Sequence, residues 1–206
     1  MYIKRQAISK DWPIPRKGTK YLIRASHNQQ NGIPILIILR DILKIAKNRK
    51  EVKKILNSKL VSLNGRIIKK ENLTVFPFDI VKIKDKTYEL GFSDKGKFEA
   101  RECKRAELIS KVVGKKILKK KKTQLNLLYG KNSLSEEKIN IGDSVVFDKG
   151  KIVKVIKLEE GKEAIVFSGK YKGEVGKIEK IENKIASISA KNGKINVPVE
   201  NIMVLK

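Results

Sequence analysis

The residues that could carry out catalysis are few and isolated in this sequence. His27 is the only histidine and Cys103 the only cysteine among 206 residues. Acid–base catalysis by histidine and nucleophilic catalysis by cysteine both need a partner side chain, and neither residue has one at a plausible spacing. One histidine and one cysteine also exclude an ordinary structural zinc site. The sequence therefore predicts no catalytic residue, no metal and no cofactor.

Basic residues, in contrast, are abundant. Lysine and arginine number 48 against 22 aspartate and glutamate, which gives a formal net charge of +26. A chain with this imbalance repels itself unless an anionic partner neutralises it. Nucleic acid is the most common such partner, because each neutralised phosphate releases a condensed counterion. An acidic membrane surface would call for a basic amphipathic helix or a lipid anchor, and neither is evident.

The remaining composition indicates a folded protein in a reducing compartment. Hydrophobic residues make up 40% of the chain, which is enough to build small cores. The single cysteine excludes an internal disulfide and is consistent with the cytosol. No signal peptide is evident, and the most apolar run, Ile33 to Leu39, is too short to span a bilayer. We therefore expect a cytoplasmic protein without membrane association.

Residues 1–32 are expected to form an irregular, basic amino-terminal arm. Pro13 and Pro15 block a helix and favour extended backbone. The arm is either a disordered tail or a segment that becomes ordered against phosphates, and the possible anchors Trp12 and Tyr21 favour the second interpretation. Its candidate contact residues are Lys4, Arg5, Trp12, Arg16 and Lys17.

Residues 33–84 are expected to form two helices followed by a β-hairpin. Apolar residues recur at spacings of three and four between Leu36 and Ala46, which predicts a first helix that ends near Asn48. A second, basic helix with a narrow apolar stripe follows it. Asn64-Gly65 then predicts a type I′ turn, because both central residues of that turn need positive φ.

The rest of the chain is expected to be β, so the predicted fold class is α+β and mostly β. Alternating runs such as Ser144 to Phe147 predict a central β domain over residues 85–163. Short strands at regular spacing predict a small barrel over residues 164–206. A lysine block at 115–122 is interpreted either as a solvated strand edge or loop or as part of the binding surface.

Two motifs resemble RNA-binding elements. Leu39-Arg40-Asp41-Ile42-Leu43, Val61-Ser62-Leu63-Asn64-Gly65-Arg66 and Asp79-Ile80-Val81 have the order and spacing of the alpha-L module of bacterial small-subunit ribosomal protein four. The segment 167–178, with glycines at 169, 173 and 176, resembles the KOW element of ribosomal proteins and elongation factors. A nucleotide-binding glycine loop is excluded there, because no Gly-Lys is followed by Ser or Thr and the next segment alternates as a strand.

Taken together, these features resemble one family along the whole chain: small-subunit ribosomal protein four-e, in its archaeal type. The arm segment Trp12-Pro13-Ile14-Pro15-Arg16-Lys17 and the central segments Gln124-Leu125-Asn126-Leu127 and Ile141-Gly142-Asp143 are similar to that family. Asn28 to Gly32 stands where many members of this family have Pro-Gly-Pro-His, and Phe78-Asp79 stands where many members of the alpha-L module family have Gly-Asp. The resemblance implies an amino-terminal arm, an alpha-L module, a central domain and an SH3-like KOW barrel, without catalysis.

The resemblance also implies partners and contact residues. The partners are small-subunit ribosomal RNA and neighbouring ribosomal proteins, with no membrane and no homo-oligomer. The expected RNA contacts in the alpha-L module are Arg40, Lys44, Lys47, Arg49, Lys53, Lys54, Lys59, Asn64 and Arg66. Those in the KOW element are Gly169, Lys170, Lys172 and Gly173. Trp12, Tyr21 and Tyr171 are either small hydrophobic anchors or surfaces on which exposed bases stack.

Two other functions stay open from the sequence. A KOW-containing transcription or translation factor would bind RNA transiently. An RNA-modifying enzyme, such as a pseudouridine synthase, would need a separate catalytic domain with an aspartate in an Arg-Leu-Asp setting. Arg40-Asp41 is superficially similar to that setting, but it lies inside the predicted first helix.

Overall fold

The computed structural model describes residues 2–93, 95–103, 107–118, 122–148, 150–190 and 193–205. The chain divides into two compact units, residues 1–106 and residues 107–206. Part of the predicted lysine block, residues 119–121, lies outside the described residues. Strands predominate among the described elements, so the predicted α+β, mostly β fold class is confirmed.

The first unit contains nine short strands and, besides a 3₁₀ turn at Arg5–Ala7, two helical segments within its described residues. In chain order they are β1 (Tyr2–Lys4), β2 (Tyr21–Ile23), β3 (Ile33–Pro34), α1 (Ile35–Ile37) with a π-helical continuation (Ile38–Ile42), α2 (Arg49–Asn57), β4 (Val61–Leu63), β5 (Arg66–Ile67), β6 (Thr74–Val75), β7 (Ile80–Ile83), β8 (Lys86–Phe92) and β9 (Phe98–Glu102). The main sheet has the order β5-β4-β7-β8-β9, while β1 pairs with β2 and β3 with β6.

The amino-terminal arm is more regular than the sequence indicates. β1 and β2 form an antiparallel pair in which Ile3 lies opposite Leu22. A 3₁₀ turn at Arg5–Ala7 follows β1. The Arg5 guanidinium closes the long connection, since its Nε donates to the Thr19 carbonyl at 2.7 Å and its Nη2 to the Thr19 hydroxyl at 3.0 Å. Pairing across about twenty residues leaves no local periodicity, so the sequence pattern does not indicate these two strands and predicts an irregular arm instead.

The first predicted helix ends earlier than its apolar spacing indicates. The Leu43 amide donates to the Ile38 carbonyl at 2.9 Å, five residues back, which widens the helix into a π-turn. Lys44 then has φ 53°, a left-handed conformation that stops the helix. Asn48, predicted near the end of this helix, instead caps the start of α2.

Two strands assigned by sequence to the central domain belong to the first unit. Lys84 has φ 51° in a tight turn, and this turn brings β8 back alongside β7 so that Lys86 pairs with Ile83. β9 then pairs with β8. The compact units therefore divide the chain after residue 106 rather than at the predicted boundary after residue 84.

The second unit is built almost entirely of antiparallel strands. They are β10 (Leu108–Ile117), β11 (Thr123–Leu127), β12 (Asn132–Ser135), β13 (Ser144–Asp148), β14 (Lys151–Ile156), β15 (Glu163–Val166), β16 (Val175–Glu182), β17 (Ile185–Ala190), β18 (Gly193–Pro198) and β19 (Ile202–Val204). They form two sheets, with orders β12-β11-β10-β13-β14 and β18-β17-β16-β15-β19.

Alternation along these strands gives the second unit two apolar clusters. On β13, Val145 packs with Val112 and Leu125, whereas the next residue, Val146, packs with Ile178 and other residues of the carboxy-terminal sheet. Successive side chains of a strand point to opposite faces, so β13 serves both clusters. The two apolar clusters of this unit are therefore separated by a strand of the first of these sheets that is buried on both faces.

Candidate nucleic-acid interface

Helix α2 carries the densest group of predicted contact residues, and its start is set by a cap. The Asn48 side chain accepts a hydrogen bond from the Glu51 amide at 3.0 Å, and the Glu51 carboxylate accepts one from the Lys47 amide at 2.7 Å. These bonds satisfy amide groups that have no partner inside the helix. Val52 and Leu56 are buried. The opposite face therefore presents lysines to solvent.

Arg49, at the first turn of α2, is held by other side chains of the protein. Its Nε donates to both carboxylate oxygens of Glu71, at 3.0 and 2.9 Å, and its Nη1 donates to the Tyr2 hydroxyl at 2.7 Å. The hydrogen bonds from Arg49 lower the pKa of the Glu71 carboxyl. Lys53 Nζ lies 4.0 Å from the same carboxylate. Arg49 is thus neutralised within the fold, and Lys53 is neutralised in part.

The hairpin turn forms as its two central residues predict. Asn64 has φ 48° and Gly65 has φ 82°, so both adopt left-handed backbone. The Asn64 side chain donates to Asp79 Oδ1 at 2.9 Å and accepts from the Ile80 amide at 2.9 Å. Asp79 is 1% exposed and also accepts from the Phe76 amide. The side chain of Asn64 is therefore committed to positioning the hairpin.

Phe78, which replaces a glycine found in many members of the alpha-L module family, keeps a glycine-like backbone. Its φ is 67°, and its amide donates to the Leu90 carbonyl at 2.6 Å. The ring is buried and meets Phe92 edge to face, with 6.2 Å between centroids. Burial of the ring offsets the strain of the left-handed conformation.

Five of the predicted cations have exposed side chains with no acidic partner among the described residues: Lys44, Lys47, Lys54, Lys59 and Arg66. They come from the connection before α2, from α2 itself, from the turn after it and from the hairpin. Arg40 differs from them, because it pairs with the adjacent Asp41 at 2.8 Å. The available positive charge in this part of the chain thus lies on four consecutive elements between residues 44 and 66.

The predicted contacts in the arm fall into two groups. Lys4, Arg16 and Lys17 are exposed. Arg5 donates to the carbonyl groups of Pro15 and Thr19, and Trp12 is 2% exposed with its indole N–H donating to the Gly32 carbonyl at 3.2 Å. Burial removes Trp12 as a surface for stacking bases and supports the alternative that the ring is a hydrophobic anchor.

The glycine-punctuated segment forms the loop between β15 and β16. Gly169 and Gly173 have φ 91° and 96°, so both use backbone that other residues rarely adopt. The Gly173 amide donates to the Val166 carbonyl at 2.8 Å, which closes the loop. Lys170 is exposed, and its Nζ lies 5.6 Å from the Tyr171 ring centroid. Lys172 and Tyr171 are half-buried, and Tyr171 packs against the carboxy-terminal core.

Lys111 is a buried cation that the sequence did not single out. It is 4% exposed on β10, and its Nζ donates to the carbonyl groups of Val199 at 2.6 Å and Glu200 at 3.0 Å. Burial lowers the pKa of the Lys111 ammonium to about 8. Both carbonyl groups belong to the turn before β19, so Lys111 ties this turn to the central sheet of the unit.

In the described part of the chain, neither a metal-binding cluster nor a membrane-spanning helix accompanies these cations. Across the described ranges, no three histidine, cysteine or acidic residues gather in a way that could hold a metal ion. The same residues contain no helix with the length and apolar character needed to cross a membrane.

Comparison with known proteins decides the family. Residues 84–152 match the model of ribosomal family S4e. The chain is 33% identical to the small ribosomal subunit protein eS4 of Methanocella arvoryzae over 199 residues, which cover 93% of this chain and 84% of the relative. It is 31% identical to the eS4 protein of Archaeoglobus fulgidus, with the same coverage.

The chain belongs to the S4e family of ribosomal proteins. Its structure is similar to the crystal structure of the 30S ribosomal protein S4e from Thermoplasma acidophilum, with a TM-score of 0.74 and 23% identity. That similarity covers 85% of this chain and 95% of the solved one, and it shows a shared fold. The S4e family resemblance stated from the sequence is therefore confirmed.

Proposed function

We propose that this S4e family member is a structural constituent of the small ribosomal subunit that binds ribosomal RNA through its exposed cations. The observation that carries the proposal is the group Lys44, Lys47, Lys54, Lys59 and Arg66, which are exposed and lack an acidic partner among the described residues. Folded RNA is bound largely through its phosphates and 2′-hydroxyl groups, which such a surface fits. Membership of a family of structural ribosomal proteins supports the absence of enzymatic activity.

The predicted contact residues fall into two groups. Arg5, Trp12, Arg40, Arg49 and Asn64 have their polar groups engaged within the fold, so we assign them to positioning. We assign the contacts with RNA to the remaining members of the predicted set: Lys4, Arg16, Lys17, Lys44, Lys47, Lys53, Lys54, Lys59, Arg66, Gly169, Lys170, Lys172 and Gly173.

The distribution of these residues supports binding through several segments at once. They come from the amino-terminal arm, from residues 44–66 in the segment that resembles an alpha-L module, and from the loop of the KOW-like element. Contacts on linked segments raise the overall affinity above that of any single one. We propose that neighbouring ribosomal proteins contact the parts of the surface that RNA leaves open.

Sedimentation of the tagged full-length chain tests the proposal. In a high-salt gradient of cell extract, a structural constituent stays with the small subunit, and crosslinks then map to ribosomal RNA. A chain that binds RNA but sediments free of ribosomes would instead be a transient factor, which would overturn the proposal. Turnover of ribosomal or transfer RNA by the purified chain would overturn the structural role in favour of an enzyme.

A further inference from the structure

Two exposed tyrosines share one face of the amino-terminal hairpin. Tyr2 is 59% exposed and Tyr21 is 51% exposed. In the pairing of β1 with β2, Tyr2 lies opposite Ile23 and Lys4 lies opposite Tyr21. Directly opposed residues of an antiparallel pair project from the same face, and diagonal neighbours on that face are about 7–8 Å apart. The side chains of Tyr2, Tyr21 and Lys4 therefore project from the same face of the hairpin.

A basic group lies over each ring, and the one over Tyr2 is paired with Glu71. The Arg49 guanidinium carbon lies 5.7 Å from the centroid of Tyr2, and Lys20 Nζ lies 5.5 Å from the centroid of Tyr21. Lys4 and Lys20 are exposed, and neither has an acidic partner in the described part of the chain. The chemical complement of two exposed aromatic rings beside Lys4 and Lys20 is a ligand that has a planar face and a negative charge.

The hairpin that carries the rings is fastened at several points. The Arg5 amide donates to the Lys20 carbonyl at 3.0 Å, which continues the pairing beyond β1. The Tyr2 hydroxyl accepts from Arg49, which is itself fixed by Glu71. A surface held in this way loses little conformational freedom when a ligand binds, so more of the contact energy remains as affinity.

We propose that Tyr2 and Tyr21 form a stacking platform for unpaired bases of a single-stranded RNA segment, whose phosphates contact Lys4 and Lys20. The inference rests on the proposed function and deepens it by naming the form of RNA that this face takes. Unpaired bases offer free faces for stacking on aromatic side chains, whereas bases inside a helix already stack on each other. A second copy of this chain would bring a surface of the same charge, which is repulsive at a net charge of +26.

The test compares two RNA octamers that carry the same number of phosphates. One has all its bases and the other has abasic sites throughout. Loss of one stacking ring weakens binding of the base-bearing octamer by about tenfold, so Y2A/Y21A weakens it by about a hundredfold. The same variant binds the abasic octamer as the unchanged chain does. Y2F/Y21F keeps both rings and retains affinity for the base-bearing octamer.

Two further variants separate stacking from charge and from general surface effects. Lys4→Gln removes a phosphate contact and therefore weakens the binding of both octamers by the same factor. Leu134→Ala removes an exposed apolar side chain from the second unit, where Leu134 is 60% exposed, and changes neither affinity. Thermal unfolding of each variant checks that the fold is intact. We expect it to be intact because both substituted tyrosines are exposed.

Three results would overturn the platform. The first is equal affinity of the unchanged chain for the two octamers. The second is an equal loss for both octamers in Y2A/Y21A. The third is a dimer in analytical ultracentrifugation that the same substitutions dissociate, which would make a second copy the occupant. If the chain sediments with small subunits but gives one of these results, only the stacking platform is rejected. If the chain does not sediment with small subunits, the proposed function itself is rejected.

Discussion

Asn64 and Asp79 join the hairpin turn to the buried start of the returning strand through a hydrogen bond of 2.9 Å. Asp79 is 1% exposed, and its second carboxylate oxygen accepts from the Phe76 amide at 2.9 Å. The residue that supplies a left-handed turn conformation thus also supplies a donor to a buried acid. This pair holds the hairpin against β7, and the exposed Arg66 follows directly from that turn.

Removing the Asp79 carboxylate is expected to destabilise the first unit. Asp79→Ala leaves the Asn64 amide and the Phe76 N–H without their acceptor, and a buried unsatisfied donor costs about 1–3 kcal/mol. Urea unfolding measures the loss. Asn64→Gly deletes the side chain but keeps a residue that tolerates positive φ. The stability that this variant loses therefore reports on the side-chain hydrogen bonds of Asn64 alone. Equal stability of D79A and the unchanged chain would contradict this role.

Neutralising the exposed cations of the first unit is expected to weaken RNA binding and reduce its salt dependence. K54A/K59A/R66A removes three charges without an acidic partner, so the slope of log affinity against log salt falls by about two to three. Filter binding of ribosomal RNA at several salt concentrations measures the slope. K86A/K180A/K194A is the matched control, since it removes the same charge from lysines paired with Glu102, Glu182 and Glu179. An equal change in the control would mean that net charge alone decides affinity.

The pair formed by Arg49 and Glu71 is expected to make stability depend on acid pH. Hydrogen bonds from Arg49 hold the pKa of Glu71 below its ordinary 4.5 in the folded chain. The stabilisation is therefore complete above pH 4.5 and is lost as the pH falls through the lower, folded-state pKa. Glu71→Gln removes this dependence. The test is the free energy of unfolding of the unchanged chain and of E71Q, measured from pH about 7 down to about 3. Glu102→Gln, at an exposed position, is the control and is expected to keep the pH dependence of the unchanged chain.

Lys111 is expected to make stability rise with pH as well, but in the alkaline range. Its pKa is about 8 when folded, against an ordinary 10.5, so the unfolded chain binds more protons between these two values. The free energy of unfolding therefore rises with pH across this window, by up to about 3 kcal/mol for this group. Lys111→Met lacks that rise, while Lys177→Met, at an exposed position of β16, retains it. Parallel pH profiles for K111M and the unchanged chain would contradict the burial of a charged ammonium.

Much of this protein could be predicted from short stretches of sequence. Asn64-Gly65 predicts its turn because the preference for positive φ belongs to those two residues. Alternation predicts the β character of the second unit because side-chain direction repeats every two residues. The excess of lysine predicts an anionic partner, since net charge does not depend on the fold.

Tertiary structure decided which polar and aromatic side chains remain available. Arg49 is neutralised by Glu71, 22 residues away, and Trp12 donates to a carbonyl group 20 residues away. Tyr2 shares a face with Tyr21 only because β1 pairs with β2. Lys111 is buried only because the turn at 199–201 packs over it. Local preferences and total charge are properties of the residues themselves. Burial, pairing and neutralisation depend on which distant segment lies alongside, and that is decided only when the chain folds.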